Sequence, residues 1–211
     1  MTVVDLTLRI PLREGGKPTS VERDVLIASA GATYTGVVYD FSFSSMAGTY
    51  IDFPGHIRET DDGLDAASYP VDKLLRVDSA VIHLDRASGS GAVSAEELDA
   101  ACPPCDGVGA IVLNALGARR FDEIEERSVF LGSDAVSWLI DRGIHLFVSD
   151  IYESTAIHGV FNDLFGAGIS TVCSPVNLQA LTDPRAKLSV FCPAFPGVTQ
   201  IPCRLIAELE D

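Results

Sequence analysis

The stretch "SSMAGTYIDFPGHI", residues 44–57, combines turn-forming residues with three side chains that can do chemistry. Its glycines and proline set a sharp backbone path, and Tyr50, Asp52 and His56 follow one another along that path. A carboxylate near an imidazole fixes the tautomer of the ring and raises its basicity. Asp52 and His56 therefore form a candidate general base. The alternative is an ordinary turn, in which Asp52 caps backbone amides and His56 lies on the surface.

The composition indicates one well-packed domain that spans residues 1–211. Apolar residues make up 47% of the 211 residues, which is enough for a large core. With 30 acidic and 15 basic residues, the formal net charge is −15. A chain with this charge repels phosphate backbones and anionic lipid surfaces, so we expect neither nucleic acid nor membrane as a partner.

The start of the chain and its cysteines predict a cytoplasmic location. The opening "MTVVDLTLRIPL" has no basic segment followed by an apolar one, as a signal peptide would. The sequence holds no run of 18 or more apolar residues, so no transmembrane helix is expected. Five cysteines without an export signal are typical of reduced thiols.

Apolar periodicity predicts more strands than helices. The predicted strands cover 21–29, 35–44, 79–85, 109–116, 144–150, 169–173 and 201–209, and the predicted helices cover 94–102, 133–143 and 156–168. The first of these helices opens with Ser94 and carries Glu97 three residues later, which is a capping-box pattern. The order of the elements indicates a mixed α/β domain with parallel and antiparallel strand pairs.

Other candidate functional residues each have an ordinary structural explanation. "CPPC", from Cys102 to Cys105, has redox spacing but follows a helix, which favours a structural loop. Cys173 ends an apolar strand and is typical of a buried small hydrophobe, although a nearby base would make it a nucleophile. Arg119 and Arg120 could hold a substrate carboxylate, but solvated side chains are the more usual outcome.

The 46–56 segment resembles the signature H-x-G-T-H-x-D-x-P-x-H of the cyclase family, which includes bacterial kynurenine formamidases, isatin hydrolase and some polyketide cyclases. "DLTLRIPL", "WLIDRGIHLFVSD", "LFGAGISTVCSPVNLQAL" and "QIPCRLIA" are similar to other family segments in the same order. The resemblance implies a swivelling β/β/α domain, a mixed sheet with flanking helices, and a homodimer or homotetramer with sites near subunit interfaces. Matching signature positions are Gly48, Thr49, Asp52, Pro54 and His56.

The chain departs from this signature at the positions that bind zinc or manganese in the family. Met46 and Tyr50 replace two histidines, and Cys173 replaces a downstream glutamate. A further histidine position falls at Phe161, so Asp52 is the one family ligand left. Thioether and phenol groups bind hard divalent ions poorly, so we expect no metal cofactor. A remade zinc or manganese site is the alternative, if Asp52 and Cys173 come together with His158.

These residues lead to one preferred hypothesis and two alternatives. In the preferred one, the protein is an enzyme that acts on a small carbonyl, amide or lactone compound without the family's metal. His56 is the general base, Asp52 orients it, and Tyr50 polarises a carbonyl oxygen. Met46, Phe161 and Cys173 line the substrate pocket. The alternatives are a zinc-dependent amide hydrolase of the kynurenine formamidase type, and a small-molecule-binding protein without catalytic activity.

Overall fold

The computed structural model describes residues 2–86 and 89–209, which build a nine-stranded sheet and three shorter two-stranded ladders. The strands are β1 (Thr2–Asp5), β2 (Arg13–Glu14), β3 (Lys17–Pro18), β4 (Ser20–Ser29), β5 (Ala32–Phe41), β6 (Tyr50–Asp52), β7 (Val77–His83), β8 (Gly91–Val93), β9 (Ala110–Asn114), β10 (Val129–Leu131), β11 (Leu146–Ser149), β12 (Ser170–Cys173), β13 (Arg185–Phe191), β14 (Gln200–Pro202) and β15 (Arg204–Leu209). The α-helices found in these two ranges are α1 (Ala95–Ala101), α2 (Ser133–Asp141) and α3 (Val160–Gly166).

The large sheet has a parallel centre and antiparallel margins, in the order β1-β15-β13-β7-β9-β11-β12-β6-β14. Strands β7, β9, β11 and β12 run parallel, while the strands on either side of them pair antiparallel. The residues of β9 and β11 are buried throughout, because both faces of the central sheet are covered. The predicted mixed α/β architecture with both kinds of pairing is confirmed.

Two apolar clusters lie on opposite faces of this sheet. Ile111 and Val112 are neighbours in β9, and the alternation of side chains along a strand sends them into different clusters. The helices pack on the Ile111 side. The predicted capping box at the start of α1 is present, since the Glu97 N–H donates to Ser94 Oγ and the Ser94 N–H donates to Glu97 Oε2 at 2.9 Å.

Strands β4 and β5 form a long hairpin that is separate from the large sheet. Ten residue pairs hold the hairpin together, and nearly all of its residues are exposed. Its apolar side chains share this exposure: Leu26 and Phe41 are each 70% exposed. The sequence correctly predicts two strands here. Alternation alone does not tell whether a strand joins the main sheet or projects from it.

The structure also contains elements that the periodicity does not reveal. The sequence predicts a loop over 46–56, whereas the middle of that segment is strand β6, paired on both sides. Strand β13 is likewise absent from the predicted strands. The "CPPC" segment is a loop after α1, as predicted, with free thiols at Cys102 and Cys105. Within the described ranges, no helix is both long and apolar enough to cross a membrane.

Candidate functional site

Strand β6 brings the candidate site residues together because of its register with β12 and β14. Tyr50 lies opposite Cys173 of β12, and Asp52 lies opposite Gln200 of β14. Tyr50 and Asp52 are two residues apart in a strand, so their side chains share one face. Ile51, between them, is fully buried in the apolar cluster on the other face.

The small residues before β6 hold the strand in place. The Leu8 N–H donates to Thr49 Oγ1 at 2.7 Å, and Thr49 Oγ1 donates to the carbonyl of Ser174 at 2.8 Å. Gly48 has a left-handed backbone with φ of 72°, and a Cβ atom there would lie 2.6 Å from the Leu8 carbonyl oxygen. These matching positions of the sequence pattern therefore serve the local backbone, not the chemistry.

The residues after β6 deliver His56 to the same place. A single 3-10 turn, Pro54–His56, follows the fully buried Phe53, and the His56 N–H donates to the Phe53 carbonyl at 2.8 Å. Proline suits the first position of such a turn, since its missing N–H would have no partner there. The turn places the imidazole at the cavity near Asp52, where the His56 side chain stays exposed.

A cavity of about 470 Å³ opens above this face of β6. All six residues that the sequence analysis assigns to the site line this cavity: Met46, Tyr50, Asp52, His56, Phe161 and Cys173. The Phe161 ring stacks on Tyr152, with centroids 4.9 Å apart. Sequence reasoning missed the opposite wall, which Phe121, Ile124 and Arg127 contribute from the segment between β9 and β10.

Asp52 is a buried carboxyl with incomplete hydrogen bonding. It is 3% exposed, and burial raises its pKa from 3.8 to about 6, against the smaller opposing effects of Gln200, His56, Cys173 and Thr171. The Cys173 thiol donates to Oδ2 at 3.6 Å, while Oδ1 has no hydrogen-bond partner. Oδ1 is therefore an acceptor without a donor at the base of the cavity.

Gln200 stands between the two members of the expected acid–base pair. Its amide Nε2–H donates to His56 Nε2 at 3.2 Å, and Ser45 Oγ donates to its Oε1 at 2.5 Å. Among the described residues, Asp52 and His56 share no direct hydrogen bond. The same amide lowers the pKa of Asp52, so Gln200 interacts with both groups. Sequence reasoning missed this residue because it lies 144 positions from His56 and belongs to a strand that only the fold brings alongside.

Tyr50 and Cys173 are both proton donors in this environment. Burial raises the pKa of the Tyr50 hydroxyl, and the neighbouring Cys173 and Asp52 add to the effect. Burial likewise raises the pKa of the Cys173 thiol well above its usual value, and Asp52 reinforces the shift. A nucleophilic thiolate is consequently disfavoured, and the thiol acts as a hydrogen-bond donor.

The donor set does not suit a divalent metal ion. Within residues 2–86 and 89–209, no group of three His, Cys, Asp or Glu side chains is placed to hold one. His158 Nδ1–H donates to the Ala156 carbonyl at 2.6 Å, and its ring packs against Phe130. His158 thus does not join Asp52 and Cys173, and the remade metal site is not assembled. The unpartnered Asp52 oxygen alone is one ligand where a zinc site needs at least three.

Fold and cavity together define an α/β protein with a cavity at one margin of a mixed sheet, lined by Tyr50, Asp52 and His56. Residues 4–154 match the model of the Cyclase family, described as "Putative cyclase". The chain belongs to this family. The predicted resemblance is confirmed. Among curated proteins the sequence has no significant match.

Solved structures with the same fold cover almost the whole chain. Isatin hydrolase A from Labrenzia aggregata, bound to benzyl benzoate, is 17% identical, with a TM-score of 0.69 over 98% of this chain and 93% of that one. A predicted metal-dependent hydrolase from Bacillus stearothermophilus is 18% identical, with a TM-score of 0.65 over 98% and 97%. Isatin hydrolase A from Ralstonia solanacearum is 18% identical, with a TM-score of 0.67 over 98% and 91%. The predicted fold class is confirmed.

Proposed function

We propose that this cyclase-family protein is an enzyme that acts on a small carbonyl, amide or lactone compound, with His56 as general base. One observation carries the proposal: His56, Asp52 and Tyr50 line a single cavity of about 470 Å³, the size of a small-molecule site. In this proposal residues 1–211 work as a single cyclase-like domain. The structural relatives named above are described as hydrolases, which supports an enzymatic role.

Each residue has a role that follows from its proton state. The Tyr50 hydroxyl stays protonated and donates to a substrate carbonyl oxygen. The unpartnered Asp52 Oδ1 accepts an N–H or O–H of the substrate, which favours amide-like compounds. His56 Nε2, which otherwise accepts from Gln200, takes up the proton that the reaction releases. Cys173, Met46 and Phe161 shape the pocket around these groups.

The test compares two histidines that differ in their placement. His56 lines the cavity, whereas His158 lies in the loop before α3 and does not line it. On a panel of small lactams, lactones and N-formyl amides, His56→Ala should lower kcat/KM by roughly 10²- to 10⁴-fold. His158→Ala should leave it close to the wild-type value. Unchanged turnover in His56→Ala would contradict the proposal.

The test also separates the two alternatives. A zinc-dependent amide hydrolase is suggested by relatives described as metal-dependent hydrolases. It predicts that His158→Ala loses activity and that chelation does the same. A binding protein without activity predicts ligand binding to the cavity but no turnover of any compound on the panel.

We also propose that the protein forms a homodimer or homotetramer through the β4–β5 hairpin. An isolated two-stranded hairpin with exposed apolar side chains gains little stability in water, so a second copy is expected to cover it. Light scattering of the wild type and of Leu26→Lys checks this. A wild-type monomer would contradict it.

A further inference from the structure

One wall of the cavity comes from the segment that joins β9 to β10. A 3-10 turn, Phe121–Glu123, begins this wall, and Ile124 and Arg127 continue it. Among the described lysines and arginines, Arg127 is the one that lines the cavity. A cationic group next to aromatic and aliphatic side chains is the arrangement that receives an apolar compound with an anionic end.

The backbone of Arg127 is unusual for a residue with a side chain. Its φ is 55°, in the left-handed region, where L-residues other than asparagine and aspartate are disfavoured. Glycine would adopt this conformation without cost. Conformational strain at a site-lining residue points to a requirement for its side chain.

The charge of Arg127 is weakly compensated within the protein. Its ion partner is the adjacent Glu126, at 3.9 Å, and the Glu126 side chain is 87% exposed. Such solvent-exposed pairs contribute little. By comparison, Arg120 holds Asp122 at 2.6 Å. The guanidinium of Arg127 is therefore available to another anion.

Of the other carboxylates that line the cavity, Asp150 and Glu153 are engaged by backbone amides, while Asp52 lies buried at its base. Asp150 accepts the N–H groups of Ala115 and Leu116 at 2.9 and 3.1 Å. Glu153 Oε1 accepts the N–H groups of Gly159 and Val160, both at 2.9 Å. The charge of Arg127 acts instead toward the cavity, where it lowers the pKa of Tyr50 against the larger opposing effect of burial.

We infer that Arg127 binds the carboxylate of a flat aromatic substrate whose ring lies against Phe161 and Phe121. This inference rests on the proposed function for its reaction and names the substrate class of the same cavity. The planar guanidinium matches a carboxylate with two parallel N–H donors. A local cation is needed in a chain of net charge −15, which otherwise repels anions.

The test uses naphthoate and its neutral counterpart naphthamide as probes, titrated by fluorescence near pH 8. The wild type should bind naphthoate at least tenfold more tightly than naphthamide, because charge-assisted hydrogen bonds are about twice as strong as neutral ones. Arg127→Gln and Arg127→Gly should abolish this preference, and Arg127→Lys should keep part of it. Equal binding of the two probes by the wild type would overturn the inference.

A second arginine supplies the matched control. Arg76 also has a left-handed backbone, with φ of 51°, but it pairs with Glu208 and does not line the cavity. Arg76→Gly should leave the naphthoate preference intact. Since glycine relieves the backbone strain, Arg127→Gly should keep the wild-type Tm, so that a loss of preference reports on binding and not on unfolding. A preference that survives in Arg127→Gly would contradict the assignment.

The binding assay stays informative if the proposed reaction fails. It measures equilibrium affinity and needs no turnover, whereas the function is tested by kcat/KM of His56→Ala. A charge preference that depends on Arg127, combined with unchanged turnover in His56→Ala, would keep the ligand class and reject the mechanism. Loss of turnover without a charge preference would do the reverse.

Discussion

Replacing Asp52 with asparagine should stabilise the protein while it abolishes turnover. The carboxyl is 3% exposed, and one of its oxygens has no hydrogen-bond partner. Burial raises its pKa from 3.8 to about 6, so the folded state prefers the protonated form. Asparagine has a similar shape and carries no charge to bury. The carboxylate that the proposed function uses as an acceptor is lost in the same step.

The magnitude follows from the linkage between proton binding and folding. A group with a raised folded-state pKa stabilises the fold fully below its unfolded value and loses that contribution as pH rises through the folded value. For Asp52 this window runs from about 4 to about 6. The two pKa values differ by roughly two pH units. At ~1.4 kcal/mol per unit, the ionised Asp52 lowers the free energy of unfolding by about 3 kcal/mol at neutral pH. Altered hydrogen bonds to Cys173 reduce this to an expected gain of about 1–3 kcal/mol.

The assay is urea unfolding of the wild type and Asp52→Asn between about pH 4 and pH 8. The two proteins should have similar stability at pH 4, and the variant should become more stable as pH rises to about 6, with no further change above it. Asp106→Asn, in an exposed turn, is the control for the loss of one negative charge. A variant that is less stable than the wild type at pH 8 would refute the reasoning about burial.

Three further outcomes are expected. Gly48→Ala should lower the free energy of unfolding by about 1–3 kcal/mol, since its Cβ would lie 2.6 Å from the Leu8 carbonyl oxygen. Gly16→Ala is the control, with φ of 79° and no atom within 4 Å, and it should lower the free energy of unfolding by less. Urea unfolding measures both values. Ser94→Ala should cost about 1 kcal/mol through loss of the capping box, measured in the same way, and an unchanged value would contradict that role. Dialysis against a chelator, followed by zinc, should leave Tm and turnover unchanged; a rise of several degrees on zinc addition would indicate a metal site.

The central fold could be predicted from the sequence because its signals are local. The apolar runs of β9 and β11 are buried on both faces, and such runs are visible without any partner. The capping-box pattern in the four consecutive positions from Ser94 to Glu97 predicts the start of α1. The missed strand β13 has charged residues in its first half, and its burial depends on β7 and β15 at either side.

The candidate site could be predicted only in part, for the same reason. Tyr50, Asp52 and His56 lie within seven residues, so their proximity is readable from the sequence. Gln200 reaches His56 only because β14 pairs with β6. Arg127 lines the cavity and has a left-handed backbone conformation, which no sequence pattern predicts for an arginine. Over long separations the sequence predicts a site residue only where the family resemblance supplies it, as for Phe161 and Cys173.

The stability cost of Asp52 also bears on what the site does. A residue chosen for packing alone would be uncharged at this position, since a buried carboxylate with an unpartnered oxygen is unfavourable by kilocalories. Around it lie two groups that keep their protons, Tyr50 and Cys173, and one imidazole able to accept a proton. Donors and acceptors are therefore separated within one cavity, as the proposed proton transfer next to a carbonyl requires. In the proposed mechanism the site uses the buried charge of Asp52. The gain in stability expected for Asp52→Asn measures the free energy of unfolding that the wild type loses by burying this charge.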